Sequence, residues 1–522
     1  MGSVVSYIVT IAFTYILTQI GQSLIWVNKK PDGTPKSPWA PSPQGLPWIT
    51  NGYEIFHQDT YHALTRWSKE VGDFFSVKIG RKQITVLNNV KLVHECLIEK
   101  EQFNSSKTPS DTQEKMVTDH CKTVFTAAFS TYWARLRRAI YIVVGPMYFA
   151  QFMNHFKSQA KKLSFGIGGS LREDKTLSAK QLRQLVEMIA MDTALTMVLG
   201  DSADEVTRDP ESMLMIIQKG RELEVKQTGK YNRIGQFFPS FNSFLDVAHL
   251  FTMDSSLMKA RNSILEIFLP WFDPMFESRE KFKNSDEKIQ AIAKSLLHIE
   301  PSKNDPEPVQ LSKDEVLVNL VHITLHAYTY LSSTIFTLVQ RLATEPELQQ
   351  ELLQELETED QSLALAFVRE SLRVDTPQRL LAYSPRADYE LVVDEKPYRI
   401  DEASEIVVNV DAIHTNNEYY PNAETFDPKR YLKSEKKMTT LLEFGQTGRK
   451  IVKDNLAFGA GRRACLGSKA SEALLVTVLY QLVKSYQLKG GNVKEKIEVA
   501  TNVWSWTGRT ETKGTVIEFI KR

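Results

Sequence analysis

The chain has 522 residues, 42% of them hydrophobic, enough to bury a large core and too many for one minimal domain. Lys and Arg number 64 against 63 Asp and Glu, so a formal net charge of +1 supplies no global field to recruit a nucleic acid or an acidic polymer. The three cysteines, Cys96, Cys121 and Cys465, are too dispersed for a disulfide framework or a structural zinc, and they fit a reducing, cytosol-facing compartment.

In chain order, the first element is an uncharged apolar stretch over residues 4–27, longer than the roughly 20 residues that cross a bilayer core. It predicts a single N-terminal transmembrane helix, with residues 1–30 as the membrane anchor. A cleaved signal peptide is the competing reading, but no basic n-region precedes the stretch, it is too long for an h-region, and no small-x-small site ends it. Trp26 falls at the interface, and Lys29 with Lys30 puts the body of the protein on the cytoplasmic side. Residues 31–47 (PDGTPKSPWAPSPQGLP) read as a stiff proline-rich hinge, unable to form helix or central strand.

Residues 48–522 read as one mostly α domain with a small β portion. Helical periodicity runs over 317–342, 345–356, 361–374 and 468–486, and short strand-like runs occur at 75–79, 84–87 and 406–410. Ser312 with Glu315 supplies a capping box for the long central helix. No repeat or low-complexity tract interrupts the body.

The chemistry concentrates in Phe458-Gly459-Ala460-Gly461-Arg462-Arg463-Ala464-Cys465-Leu466-Gly467. Three glycines around one cysteine let a backbone loop pass close to a planar ligand, and amide N–H groups aimed at the sulfur would stabilise a thiolate. A helix predicted from Ser468 adds the positive end of its dipole. Composition alone leaves a second reading open, a free buried cysteine in a Gly-rich turn.

FGAGRRACLG fits the FxxGxRxCxG haem loop of the cytochrome P-450 monooxygenases at every defined position. The rest of that family's order follows: Glu370 and Arg373 as an ExxR pair in FVRESLR, FDPKRY at 426–431, and Trp133 with Arg137 in YWARLRR. The whole chain, anchor included, resembles this family and is similar to its fungal microsomal members. The resemblance implies a cytochrome P-450 fold and a haem b whose axial ligand is the thiolate of Cys465, with Phe458 and Gly459 in the cradle. It also implies Trp133, Arg137 and Arg463 as donors to the haem propionates, a role suited to the guanidinium fork. Arg430 would join Glu370 and Arg373 in a buried network behind the loop; a surface ion pair at i, i+3 is the plainer reading of the pair. Arg379 or Arg386 is a further candidate donor, and so is His414, for which a structural role stands equally.

One segment departs from the family. Where its central helix carries a small-Gly-x-acid-Thr pattern that relays protons, this chain reads His326-Ala327-Tyr328-Thr329-Tyr330. Thr329 replaces the acid and Tyr330 the alcohol. Three explanations follow: a substrate group delivers the proton, Thr329 or Tyr330 substitutes with water, or the oxidation is of a less typical kind; drift at a tolerant position is the fourth. Phe125, Phe129 and residues 234–244 are guesses at the pocket wall, against a plain core role.

A locally basic run, Lys433, Lys436, Lys437, Arg449, Lys450, Lys453 and Arg462, carries no nucleic-acid motif. The resemblance makes it the docking face for an NADPH-cytochrome P-450 reductase, with cytochrome b5 as a second donor; NADPH and flavins then belong to the partner alone. The expected place is the endoplasmic reticulum membrane, single-pass, with the catalytic domain cytosolic. The expected activity is oxidation of a small, polar secondary metabolite with O2, for example N-oxidation or dehydrogenation of a cyclic dipeptide. An oxygen-independent haem-thiolate isomerase or dehydratase, and a non-enzymatic haem sensor, are the alternatives.

Overall fold

The structure, a computed structural model, describes residues 36–45, 60–79, 82–107, 120–200, 209–227, 254–279, 290–301, 310–432 except 359 and 403, 455–490 and 516–522, with Thr10, Thr14, Asn51, Glu54, Thr118 and Pro306 as isolated positions. The expected anchor apart from Thr10 and Thr14, the pocket-wall segment 234–244 and the six basic residues from Lys433 to Lys453 therefore lie outside the described residues. No described helix is long and apolar enough to cross a membrane.

The main described helices are α1 (Thr60–Val71), α2 (Thr131–Val144), α3 (Met153–Ser170), α4 (Ala179–Leu199), α5 (Pro210–Gln227), α6 (Asp254–Glu277), α7 (Ile292–Leu297), α8 (Lys313–Thr344), α9 (Pro346–Glu355), α10 (Ser362–Val374) and α11 (Ser468–Ser485). At 32 residues α8 is the axis of the fold: it packs against α4, α6, α7, α10 and α11, and its apolar positions lie in one continuous helical core with theirs. The capping box forms as expected, with Ser312 Oγ accepting from the Glu315 N–H at 3.2 Å and Glu315 Oε2 accepting from the Ser312 N–H at 2.9 Å.

Strands β1 (Phe74–Ile79), β2 (Lys82–Leu87), β4 (Leu380–Tyr383) and β7 (Glu405–Asn409) make a sheet of order β1-β2-β7-β4. Within it β2 and β7 run parallel, Ile84 opposite Glu405, and the outer pairs are antiparallel. A hairpin, β5 (Tyr389–Val393) with β6 (Lys396–Ile400), and a three-stranded sheet of β3 (Thr176–Ser178), β9 (Val516–Lys521) and β8 (Tyr486–Gly490) complete the β portion. The second half of the proline-rich hinge does not stand off the body. Ser76 N–H donates to Pro41 O at 2.7 Å, Arg399 N–H donates to Pro38 O at 3.0 Å, and the Arg399 guanidinium lies 4.0 Å from the centroid of the Trp39 ring. Residues 36–45 thus lie along the sheet, where buried Ala40 joins its core.

Candidate functional site: a thiolate loop facing a histidine-bearing helix

Cys465 sits three residues before α11, at the positive end of that helix. Its own N–H donates to Phe458 O at 2.8 Å, closing the loop into a tight hairpin-like turn. Gly459 at φ +74° and Gly461 at φ +63° occupy the left-handed region, and at Gly461 a Cβ would collide with Leu97 O. Burial pushes the Cys465 thiol up, opposed by the Gly467 N–H and the charge of Arg137. A bound metal cation would overcome that burial cost and take the sulfur as thiolate.

Arg137 and Arg463 flank the sulfur. Arg137 Nη2 donates to Ala464 O, while Arg463 donates to Ser105 O (2.8 Å), Val124 O (3.2 Å) and Ala127 O (2.5 Å). Trp133 lies between them, its ring 5.5 Å from the Arg137 guanidinium and 4.5 Å from that of Arg463, and its Nε1–H donates to Val124 O at 3.1 Å. Burial lowers both arginines to about 10, with Cys465 opposing the effect at Arg137 and the charge of Arg137 adding to it at Arg463. Among the described residues no carboxylate forms an ion pair with either one. Both arginines are half-buried, and cations partly withdrawn from water without an anion are costly, so this donor set fits an anionic group such as the carboxylates of a haem.

Sequence reasoning missed Lys107, whose Nζ donates to Ala382 O and lies 4.6 Å over the Tyr383 ring. Burial, then the charge of Arg463, pushes it down to about 7, and burial pushes the Tyr383 phenol up to about 12. A single lysine in a loop carries no signal in the sequence that could have revealed it.

Behind the loop, Glu370 and Arg373 on α10 are fully buried and fully partnered. Glu370 accepts from Arg373 Nε (2.9 Å) and Nη2 (2.7 Å), from Arg430 Nε (3.1 Å) and from the Asp427 N–H (3.0 Å). Arg373 Nη1 donates to His414 O at 2.7 Å. His414 Nε2 accepts from the Leu456 N–H at 2.9 Å, so its Nδ1–H donates to Arg373 O at 3.0 Å. Burial and the neighbouring Arg373 charge lower His414 to about 3, and the neutral ring clamps the ExxR helix to the start of the cysteine loop. Its role is therefore structural and not that of a free donor. Arg379 is likewise engaged away from the loop, paired with Asp411 and 4.7 Å over the Tyr61 ring; Arg386 lies 5.6 Å over Phe129.

The residues replacing the acid and alcohol lie on α8. Thr329 and Tyr330 are half-buried, and their carbonyls accept from Ser332 Oγ (3.1 Å) and Thr334 Oγ1 (2.8 Å). Tyr328 is buried, beside Arg221 of α5. His326, the first residue of this segment, has its ring 4.3 Å from Phe125 and 4.5 Å from Tyr330. Like Cys465 its side chain meets open space while the surrounding protein desolvates it, the combination an internal chamber produces. The turn carrying Phe125 joins the two walls, since Val124 O accepts from Arg463 and Trp133 while its N–H donates to Asn319 Oδ1 of α8 at 3.0 Å.

A family model described as Cytochrome P-450 matches residues 40–507. Cytochrome P-450 monooxygenase 79 of Postia placenta is 22% identical over 484 residues, covering 86% of this chain and 82% of that protein. Trans-cinnamate 4-monooxygenase of Glycine max is 22% identical over 468 residues, 86% of each chain. Among solved structures, a zebra fish cytochrome P-450 with progesterone shares the fold at a TM-score of 0.67 and 16% identity, over 88% of this chain and 99% of that one. With a loop cysteine at a helix N-terminus, a buried ExxR network behind it and a family match along nearly its whole length, the chain belongs to the cytochrome P-450 family of haem-thiolate oxidoreductases.

Proposed function

We propose that the protein is a membrane-bound monooxygenase of a fungal secondary pathway, acting on one small polar metabolite, with a cyclic dipeptide undergoing N-oxidation or dehydrogenation as the leading case. The observation that carries the haem assignment is the pair of half-buried guanidinium groups, Arg137 and Arg463, beside Cys465 and without a carboxylate ion-pair partner among the described residues. Cys465 would ligate the iron. Arg137, Arg463 and Trp133 would hold the propionates, with Lys107, pushed down to about 7, as a further donor nearby. When bound, a haem with an axial thiolate supplies oxidation by activated oxygen, which the protein chain cannot do itself.

The remaining work belongs to the residues of this chain. Glu370, Arg373, Arg430 and His414 fix the loop from behind, so the sulfur keeps its place as charge moves at the site. Phe125 and α8 form a wall that excludes bulk water, and Thr329 and Tyr330 replace the usual acid and alcohol there. A dedicated substrate that brings its own polar groups suits this altered wall better than a broad range of apolar ones. The basic run from Lys433 to Arg462 would dock a reductase carrying NADPH-derived electrons, with cytochrome b5 as a second donor, at the endoplasmic reticulum membrane, where residues 4–27 would anchor the chain.

The altered α8 segment also favours a second reading, an oxygen-independent isomerase or dehydratase. Metabolite profiling of a strain lacking the gene names the substrate as an accumulated precursor. Incubation of that precursor with the protein, reductase and NADPH then separates the readings: consumption of O2 with product supports monooxygenation, and product without NADPH or O2 overturns it.

A further inference from the structure

The sequence comparison treats His326 as a replaced small residue, and neither Thr329 nor Tyr330 absorbs it. Its position is specific. His322, His326, Thr329 and Ser333 recur at intervals of four, three and four residues, so they line one face of a helix whose other positions are largely apolar. Of these, His326 is the one whose side chain opens into the chamber while being desolvated by protein. Its ring is braced by Phe125 at 4.3 Å and Tyr330 at 4.5 Å, and neither ring nitrogen hydrogen-bonds to a described residue.

Phe125 belongs to the turn whose carbonyls, Val124 O and Ala127 O, receive the Arg463 guanidinium two residues before Cys465. The imidazole on α8 is therefore joined through this one turn to the arginine beside the sulfur. Burial, then the charge of His322, lowers it to about 4, which leaves a neutral ring with one N–H and one lone pair at neutral pH. Such a ring can both give and take a hydrogen bond without bringing a charge into a buried site.

We propose that His326 is the hydrogen-bond donor of the chamber's α8 wall, directing a ring N–H at a small acceptor ligand held over the haem. A hydrogen-bonding function would thus remain at this wall although the acid and alcohol of the usual pattern are gone, moved one helical turn toward the start of α8 and carried by a neutral group. Phe125 and Tyr330 are its positioning residues, fixing the plane of the ring.

The inference rests on the haem-thiolate reading, and carbon monoxide tests the two separately. In the full-length ferrous protein, the Soret band of the carbon monoxide adduct reports the thiolate, while the infrared C–O stretch reports polar groups near the ligand's oxygen. A donor lowers that stretch, because it favours electron density on the oxygen. The expected result is a thiolate-type Soret band in all variants, with the C–O stretch shifted to higher frequency in His326→Phe and His326→Leu and largely restored by His326→Gln. Tyr330→Ala should broaden the band by removing the ring that braces the imidazole.

A thiolate-type band with an unmoved C–O stretch in both apolar variants overturns the role of His326 alone. Absence of the thiolate band in the wild-type protein overturns the haem-thiolate reading. A resting ferric spectrum of nitrogen ligation that vanishes in His326→Leu would also overturn the donor role, since the imidazole would then be an iron ligand. If the phenylalanine variant fails to take up haem, the leucine and glutamine pair carries the comparison.

Discussion

The two walls of the chamber are built on opposite plans. Behind Cys465 the structure uses full charges and meets every one: Glu370, 0% exposed, takes four hydrogen bonds, and Arg373, 1% exposed, is held by Glu370 and by the backbone of His414 and Thr425. On the α8 wall the groups are neutral, an imidazole, a phenol and an alcohol, with the imidazole and phenol rings in contact at 4.5 Å. The difference teaches where substitution is tolerated. A buried charge network fails if one member is lost, so its residue types and spacings are rigid. A wall of neutral groups can be rewritten one side chain at a time, which suits a surface that must match a particular ligand.

Breaking the charged wall should have the largest effect. Glu370→Ala strands Arg373 and Arg430, and loss of one partner of a buried pair costs about 3–5 kcal/mol, enough to consume much of the stability of a typical domain. The expected outcome is little folded, haem-loaded protein, measured as haem absorbance per unit of purified protein, with Glu370→Gln intermediate. Normal loading in Glu370→Ala would show that the network is dispensable and erase the contrast between the walls.

A smaller effect is expected at Gly461, where a Cβ faces both an unfavourable φ of +63° and the Leu97 carbonyl. Gly461→Ala should cost on the order of 1–3 kcal/mol and lower thermal stability of the loaded protein, while leaving the thiolate spectrum in the surviving fraction. Calorimetry on wild type and variant checks this. The smallest effect sharpens the comparison from the other side: Ser312→Ala removes the cap of α8 far from both walls and should cost about 1 kcal/mol. Its unfolding midpoint should fall without change in the C–O stretch or the Soret band.

The same contrast decided what could be read from the sequence. The ExxR pair, the cysteine loop, the cap of α8 and the helices 361–374 and 468–486 were legible because each depends on a fixed spacing or a local pattern. Strand β4 was not, being a short segment whose pairing is settled by a partner distant in the chain, Leu380 opposite Asn409. Lys107 was invisible for the same reason: only folding brings it to Tyr383 and Ala382. His414 stood between two readings that a sequence cannot separate, because its structural role depends on backbone groups at Arg373 and Leu456. The Trp133, Arg137 and Arg463 cluster was named from resemblance, and both guanidinium groups do lie over the Trp133 ring.

The central claim is that Cys465 holds a haem iron through its thiolate. The most direct measurement is the absorption spectrum of the dithionite-reduced full-length protein with carbon monoxide, taken on wild type and Cys465→Ala. Wild type should show the strongly red-shifted Soret band of a thiolate-ligated haem, and Cys465→Ala should lose it completely, since Cys96, which burial pushes up to about 12, is buried outside the loop and Cys121 precedes the Phe125 turn. A red-shifted band that survives in Cys465→Ala, or a wild-type protein that never shows one, would contradict the account.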